Sequence, residues 1–112
     1  MTNNKKSTRY YSGRQEHKVA KALNGKLVAN SGAGDFVAGD VVTANWLIEC
    51  KTCTSEKKSF TIKKDWLDKN KEEAFACRKE YNAVAFDFGG KENYYIIDEQ
   101  TFKLLVEMTK TD

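Results

Sequence analysis

The segment GDVVTANWLIECKT, residues 39–52, constrains this chain more than any other. Val41-Val42 and Leu47-Ile48 read as the apolar halves of a hairpin. A turn centred on Ala44-Asn45, with a two-residue or a four-residue loop, sets Val42 opposite Leu47, Val41 opposite Ile48 and Asp40 opposite Glu49. Directly opposed residues share a sheet face with Cβ atoms about 4.5–5.5 Å apart, and Lys51, two positions beyond Glu49, joins that face. A strand that is otherwise Val, Leu and Ile gains nothing from charged side chains unless they are paired or bind something. Two carboxylates about 5 Å apart repel by roughly 3 kcal/mol at an effective dielectric of about 20, which is large against the stability of a small domain.

A divalent cation reverses the sign of that repulsion. Hard oxygen ligands in this number suit Mg²⁺, with Mn²⁺ as a substitute and water completing the octahedron. A further carboxylate comes from SGRQEHKVAKALNG, read as a helix with Ser12 as N-cap and Gly25 as its stop. Its apolar stripe is Val19, Ala20 and Leu23, and Glu16 lies one turn before Val19 and Ala20 on the packed side. The expected metal ligands are therefore Asp40, Glu49 and Glu16. The ammonium of Lys51 beside them suits orientation of a water or stabilisation of charge on a phosphate.

The rest of the chain bounds what this site serves. At 112 residues, with 40% hydrophobic and 31% charged side chains, it fits one domain with a real core. No apolar run approaches a bilayer span and no secretory core segment is visible, so no membrane partner is expected and the expected location is the cytoplasm. Cys50, Cys53 and Cys77 are an odd number without framework spacing, as in a reducing compartment. Cys50-x-x-Cys53 raises zinc or redox chemistry, yet only Cys77 and His17, both distant in the chain, are left to complete a zinc site.

Net charge is +3, too small by itself to prove a polyanion partner, but its distribution is uneven. Residues 1–11 read as a flexible basic arm ahead of a single domain over 12–112. Arg14, Lys57, Lys58, Lys63 and Lys64 are the candidate phosphate contacts, since lysine and arginine supply sequence-independent affinity for nucleic acid. KLVAN, the hairpin, the short extended piece SFTI, NAVAFDFGG and ENYYIID alternate with helical KKDWLDKNKEEAFACRKE and EQTFKLLVEM. Asp98 is the cap of the last helix, whose Phe102, Leu105 and Val106 are expected to face the core. The order gives an α/β fold, a central mixed five-stranded sheet flanked by helices.

Asp40 followed by Glu49-Cys50-Lys51, with Glu16 on the first helix, resembles the PD-(D/E)xK nuclease motif. The wider run RQEHKVAKALNG, NSGAGDFVAGDV, LIECKT and SFTIKKDWLDKNKEEA resembles the archaeal-type Holliday junction resolvases and their phage relatives, over about residues 12–97. The resemblance implies a restriction-endonuclease-like fold and Mg²⁺-dependent hydrolysis of phosphodiester bonds. It also implies a homodimer acting on branched DNA, the four-way junction, with the host cytoplasm as location if the chain is of phage origin. By position in the glycine-rich loop it assigns a contributing role to Ser31. Asp35 competes with Asp40 for the motif aspartate, and the cross-strand geometry favours Asp40. A nicking or repair endonuclease of the same fold, and a DNA-binding module without catalysis, are the alternatives.

Overall fold

The computed structural model describes residues 8–28 and 40–111. Among them the order is α1 (Thr8–Leu23), β1 (Lys26–Leu27), β2 (Val41–Val42), β3 (Trp46–Lys51), α2 (Lys64–Ala76), β4 (Tyr81–Phe86), β5 (Tyr94–Ile96) and α3 (Glu99–Met108). The five strands form one sheet in the order β1-β2-β3-β4-β5. All neighbours are antiparallel except β3 and β4. The sheet is mixed because α2 carries the chain back from the end of β3 to start β4 alongside it, the crossover that a parallel pair requires.

The hairpin has the register expected of it, Val41 opposite Ile48 and Val42 opposite Leu47. Thr43 builds the turn: its Oγ1 accepts from Trp46 N at 3.0 Å, and its own N–H donates to Trp46 O at 3.0 Å. The Lys79 ammonium donates to Thr43 O at 2.8 Å, and Tyr81 N donates to Asn45 O at 2.8 Å. The turn is thereby tied to the start of β4.

Strand alternation then divides the sheet into two differently used faces. On one, Ile48 packs with Val19 of α1, Val41, Ala83 and Ala85, with Ala20, Trp46, Cys50 and Ile97 around them. On the other, Leu47, Glu49 and Lys51 point with Asn82 and Phe86 toward α2; Asn82 Nδ2 donates to Asn70 Oδ1 at 2.8 Å. Helix α1 is seated by Gln15, only 2% exposed. Its Nε2 donates to Lys51 O at 2.7 Å, to Asn93 Oδ1 at 3.0 Å and to Ala85 O at 3.3 Å. One amide thus fastens the first helix to the ends of β3 and β4 and to the segment before β5.

Several element boundaries differ from the sequence expectation. Helix α1 starts at Thr8, before the expected cap Ser12, and residues 1–7 lie outside the described part. Tyr10 and Tyr11 meet edge to face with centroids 5.3 Å apart, and the Arg14 guanidinium lies 5.8 and 5.6 Å from the two ring centroids. These contacts along one helix extend it past the Ser12-Gly13 pair. SFTI forms no strand among the described residues; Phe60 is drawn into an aromatic cluster instead. Helix α2 stops at Ala76 because Arg78 turns left-handed, at φ 60°, while Lys79 N donates back to Ala74 O at 2.8 Å.

The last helix has the expected bounds, and Asp98 Oδ1 accepts from Thr101 N at 2.8 Å. Its packing departs from expectation, because none of its residues is buried: Phe102 is 58% exposed, and Leu105 and Val106 are also exposed. Gly13 sits inside α1, and a methyl group there would meet no atom within 4 Å. Gly13→Ala therefore removes helix-disfavouring backbone entropy without a clash and should stabilise the chain by about 0.5–1 kcal/mol. Denaturant titration of the two proteins measures it, and unchanged or lowered stability would count against a helix that runs through Gly13.

Candidate functional site

Continuing the hairpin register by one step sets Asp40 across from Glu49, at the end of β2. Both carboxylates are withdrawn from solvent: Asp40 is 2% exposed and the Glu49 side chain 15%. Lys51, 32% exposed, brings its Nζ to 3.0 Å from Glu49 Oε2. The same ammonium lies 4.7 Å from the centroid of the Trp66 ring on α2. The three residues expected from the strand pattern are therefore grouped on one face, at the end of β3 where the sheet meets α2.

Glu16 comes from the opposite side. Its helix packs against the Ile48 and Cys50 face, and among the described residues no group of three His, Cys, Asp or Glu side chains converges as a metal site. The three-carboxylate set Asp40, Glu49 and Glu16 is thus not assembled, because alternation turns Glu49 toward α2 while α1 covers the other face. Their fields meet at Cys50. Its thiol is pushed well above the ordinary range, chiefly by burial and then by the carboxylates of Glu16, Asp40, Glu49 and Asp87. Cys50, Cys53 and Cys77 are all free thiols.

Asp40 and Glu49 remain a donor set that fits a small hard cation. Mg²⁺ is commonly held by one or two carboxylates while water and substrate oxygens fill its other positions. Ser31, assigned to the site by resemblance, and Asp35, the competing aspartate, lie outside the described residues, as does the rest of the glycine-rich loop, 30–39.

Sequence reasoning missed the contribution of α2: the segment was expected to be helical, but nothing in its spacing tied Trp66 or Asn70 to Lys51. Glu73 was not singled out, although it falls one turn after Asn70. Its carboxyl is held above the usual range by burial first and then by Glu49, with Lys69 and Lys51 pulling the other way. Its buried Oε1 has no hydrogen-bond partner. Asp87 was likewise unmarked; its Oδ1 accepts from Thr52 Oγ1 at 2.7 Å and from Gly89 N at 2.9 Å. That pair of contacts closes the turn after β4.

The basic segment after β3 is fixed beside this face. Lys57 N donates to Phe88 O at 2.8 Å. Gly89, at φ 89°, passes so close under the Ser55 carbonyl that any side chain would collide with it. Phe60 packs on Phe86 with centroids 5.1 Å apart and meets Trp66 edge to face at 6.0 Å. Lys57, Lys58, Lys63 and Lys64 are exposed along this segment, Lys64 with its Nζ 2.9 Å from Asp68 Oδ2 one helical turn on. Arg14 is exposed on a different element, against Tyr10 and Tyr11.

Compared with known proteins, the chain matches no family model, no curated protein and no solved structure. No helix among the described residues is long and apolar enough to cross a membrane.

The buried electrostatics predict an alkaline signature. Cys50 titrates higher folded than unfolded, so above the ordinary thiol value of 9.0 the unfolded chain loses a proton that the folded one keeps. Stability from this residue is then complete below about pH 9 and falls as pH rises. Cys50→Ser should flatten the decline in unfolding free energy on the alkaline side, measured by urea titration across that range. A slope identical in wild type and C50S would show that the Cys50 thiol is not raised in the folded chain.

Proposed function

We propose that this chain is a metal-dependent, structure-selective DNA endonuclease that resolves four-way junctions by hydrolysing phosphodiester bonds. The observation that carries the reading is the grouping of Asp40, Glu49 and Lys51 on one sheet face: two withdrawn carboxylates with an ammonium 3.0 Å from one of them. The chemistry of the set, hard oxygen donors beside a hydrogen-bonding cation, is that of phosphoryl hydrolysis.

In this reading Asp40 and Glu49 hold Mg²⁺, or Mn²⁺ in its place. The ion, when bound, supplies charge to offset that on the phosphate and acidifies water at neutral pH. Lys51 donates hydrogen bonds to the attacking water or to a non-bridging phosphate oxygen, in a site from which most solvent is excluded. Glu16, expected as a further ligand, lies on the helix packed against the Ile48 and Cys50 face, and Ser31 keeps the role that resemblance gives it. Lys57, Lys58 and Lys63, on a segment pinned by Phe60 and the Lys57 amide, meet backbone phosphates, with Lys64 and Arg14 at the margins. Recognition by shape suits such a surface, and a homodimer would present two sites to the two continuous strands of a junction.

The test is cleavage of a labelled immobile four-way junction and of linear duplex of the same sequence, with Mg²⁺ or EDTA, by wild type, Glu49→Gln and Asp40→Asn. Paired nicks on the junction should disappear in EDTA and fall by on the order of a hundredfold or more in either variant. Equal cleavage of linear duplex would remove junction selectivity and leave a nicking or repair nuclease. Tight binding without cleavage in Mg²⁺ or Mn²⁺ would leave a DNA-binding module with a structural acidic pair.

A further inference from the structure

A lysine ammonium is a strongly hydrated point charge on a flexible four-carbon stem, and holding it in one place costs up to about 2 kcal/mol of rotamer freedom. The Glu49 contact alone does not define where Lys51 points, because a single ion pair between two side chains of one strand leaves the stem free to swing. A second, independent contact comes from α2. The Trp66 ring lies 4.7 Å from Nζ, well within the range over which an indole face attracts a cation.

The ring is itself held in place. Trp66 lies in the first turn of α2, where its backbone N–H donates to Lys63 O at 3.0 Å. Phe60 meets it edge to face at 6.0 Å and packs on Phe86 at 5.1 Å. Phe86 is the partner of Lys51 in the parallel register of β3 and β4. A closed circuit therefore runs from the backbone of Lys51 through Phe86, Phe60 and Trp66 back to the Lys51 ammonium. The Trp66 face thus meets a charge that also pairs with Glu49.

We propose that Trp66 is a positioning residue for Lys51, its indole ring holding the ammonium so that it meets the scissile phosphate and the attacking water in one orientation. This rests on the nuclease reading, and the tests separate the two. Replacing Trp66 with mono-, di- and trifluorinated tryptophan keeps its shape while withdrawing electron density from the ring face. Turnover on the junction should fall stepwise, to about one tenth for the trifluoro ring, the equivalent of one partly desolvated cation–π contact, while KM for DNA stays within about twofold.

Trp66→Leu should lose a similar factor and Trp66→Tyr should recover most of it, at comparable melting temperatures. A readout that needs no activity is the Lys51 Hε resonance, which the indole ring current should displace upfield in wild type and release in W66L. If W66L does not fold, the fluorinated series, which leaves packing intact, decides the question. Turnover indifferent to fluorination, or an undisplaced Lys51 resonance, overturns the positioning role alone. A displaced resonance in a protein that cleaves no DNA with Mg²⁺ or Mn²⁺ overturns the nuclease reading, and the catalytic role of Trp66 with it, while the contact itself stands.

Discussion

The two-residue alternation of β3 is the constraint on which the rest of the molecule depends. Six residues, Trp46–Lys51, have to satisfy a hydrophobic core on one side and a charged site on the other, and a strand delivers both only in strict register. Ile48 and Cys50 go to α1; Leu47, Glu49 and Lys51 go to α2. A slip of one residue would drive both charges into the cluster around Val19 and leave Ile48 facing the site. The tethers from Lys79, Tyr81 and Gln15 to the ends of this strand secure its position along the sheet as well as its stability.

How much of this could be read from the chain depends on the range of the interaction. The hairpin was legible because apolar pairs flank a short turn, so local geometry alone fixes which residues oppose one another. The last helix was legible in its bounds because Asp98 announces the start. Its failure to bury Phe102 was not legible, since an amphipathic pattern states which side is apolar and says nothing of whether another element comes close enough to cover it. The start of α1 was misplaced because Ser12 and Gly13 read as a cap and a break, whereas contacts among Tyr10, Tyr11 and Arg14 carry the helix through them.

The candidate site divides in the same way. Asp40, Glu49 and Lys51 belong to one hairpin, so their relative placement follows from local spacing alone. Trp66 and Glu73 reach it through the crossover between β3 and β4, a parallel pairing that no local pattern encodes. For Glu16 the limit is of another kind: a helical stripe says which side of α1 packs, but which face of the sheet that helix covers is a matter of topology. The resemblance to junction resolvases rests on the ordered motif in the sequence.

The exposed last helix has a consequence for how the protein opens. Ten residues of isolated helix are marginal in water, and Glu99–Met108 adds to its own hydrogen bonds a capping aspartate, an ion pair between Lys71 and Asp98 at 3.4 Å and another between Lys110 and Glu107 at 2.9 Å. Contacts of that kind are worth tenths of a kcal/mol to about one, so the segment samples open forms at a small fraction of the global unfolding free energy. Among the described helices and strands its amides are expected to exchange before those of β3 and β4, which are paired within the sheet. The chain therefore carries two tiers of cooperativity, and the charged face of β3 lies in the slower one.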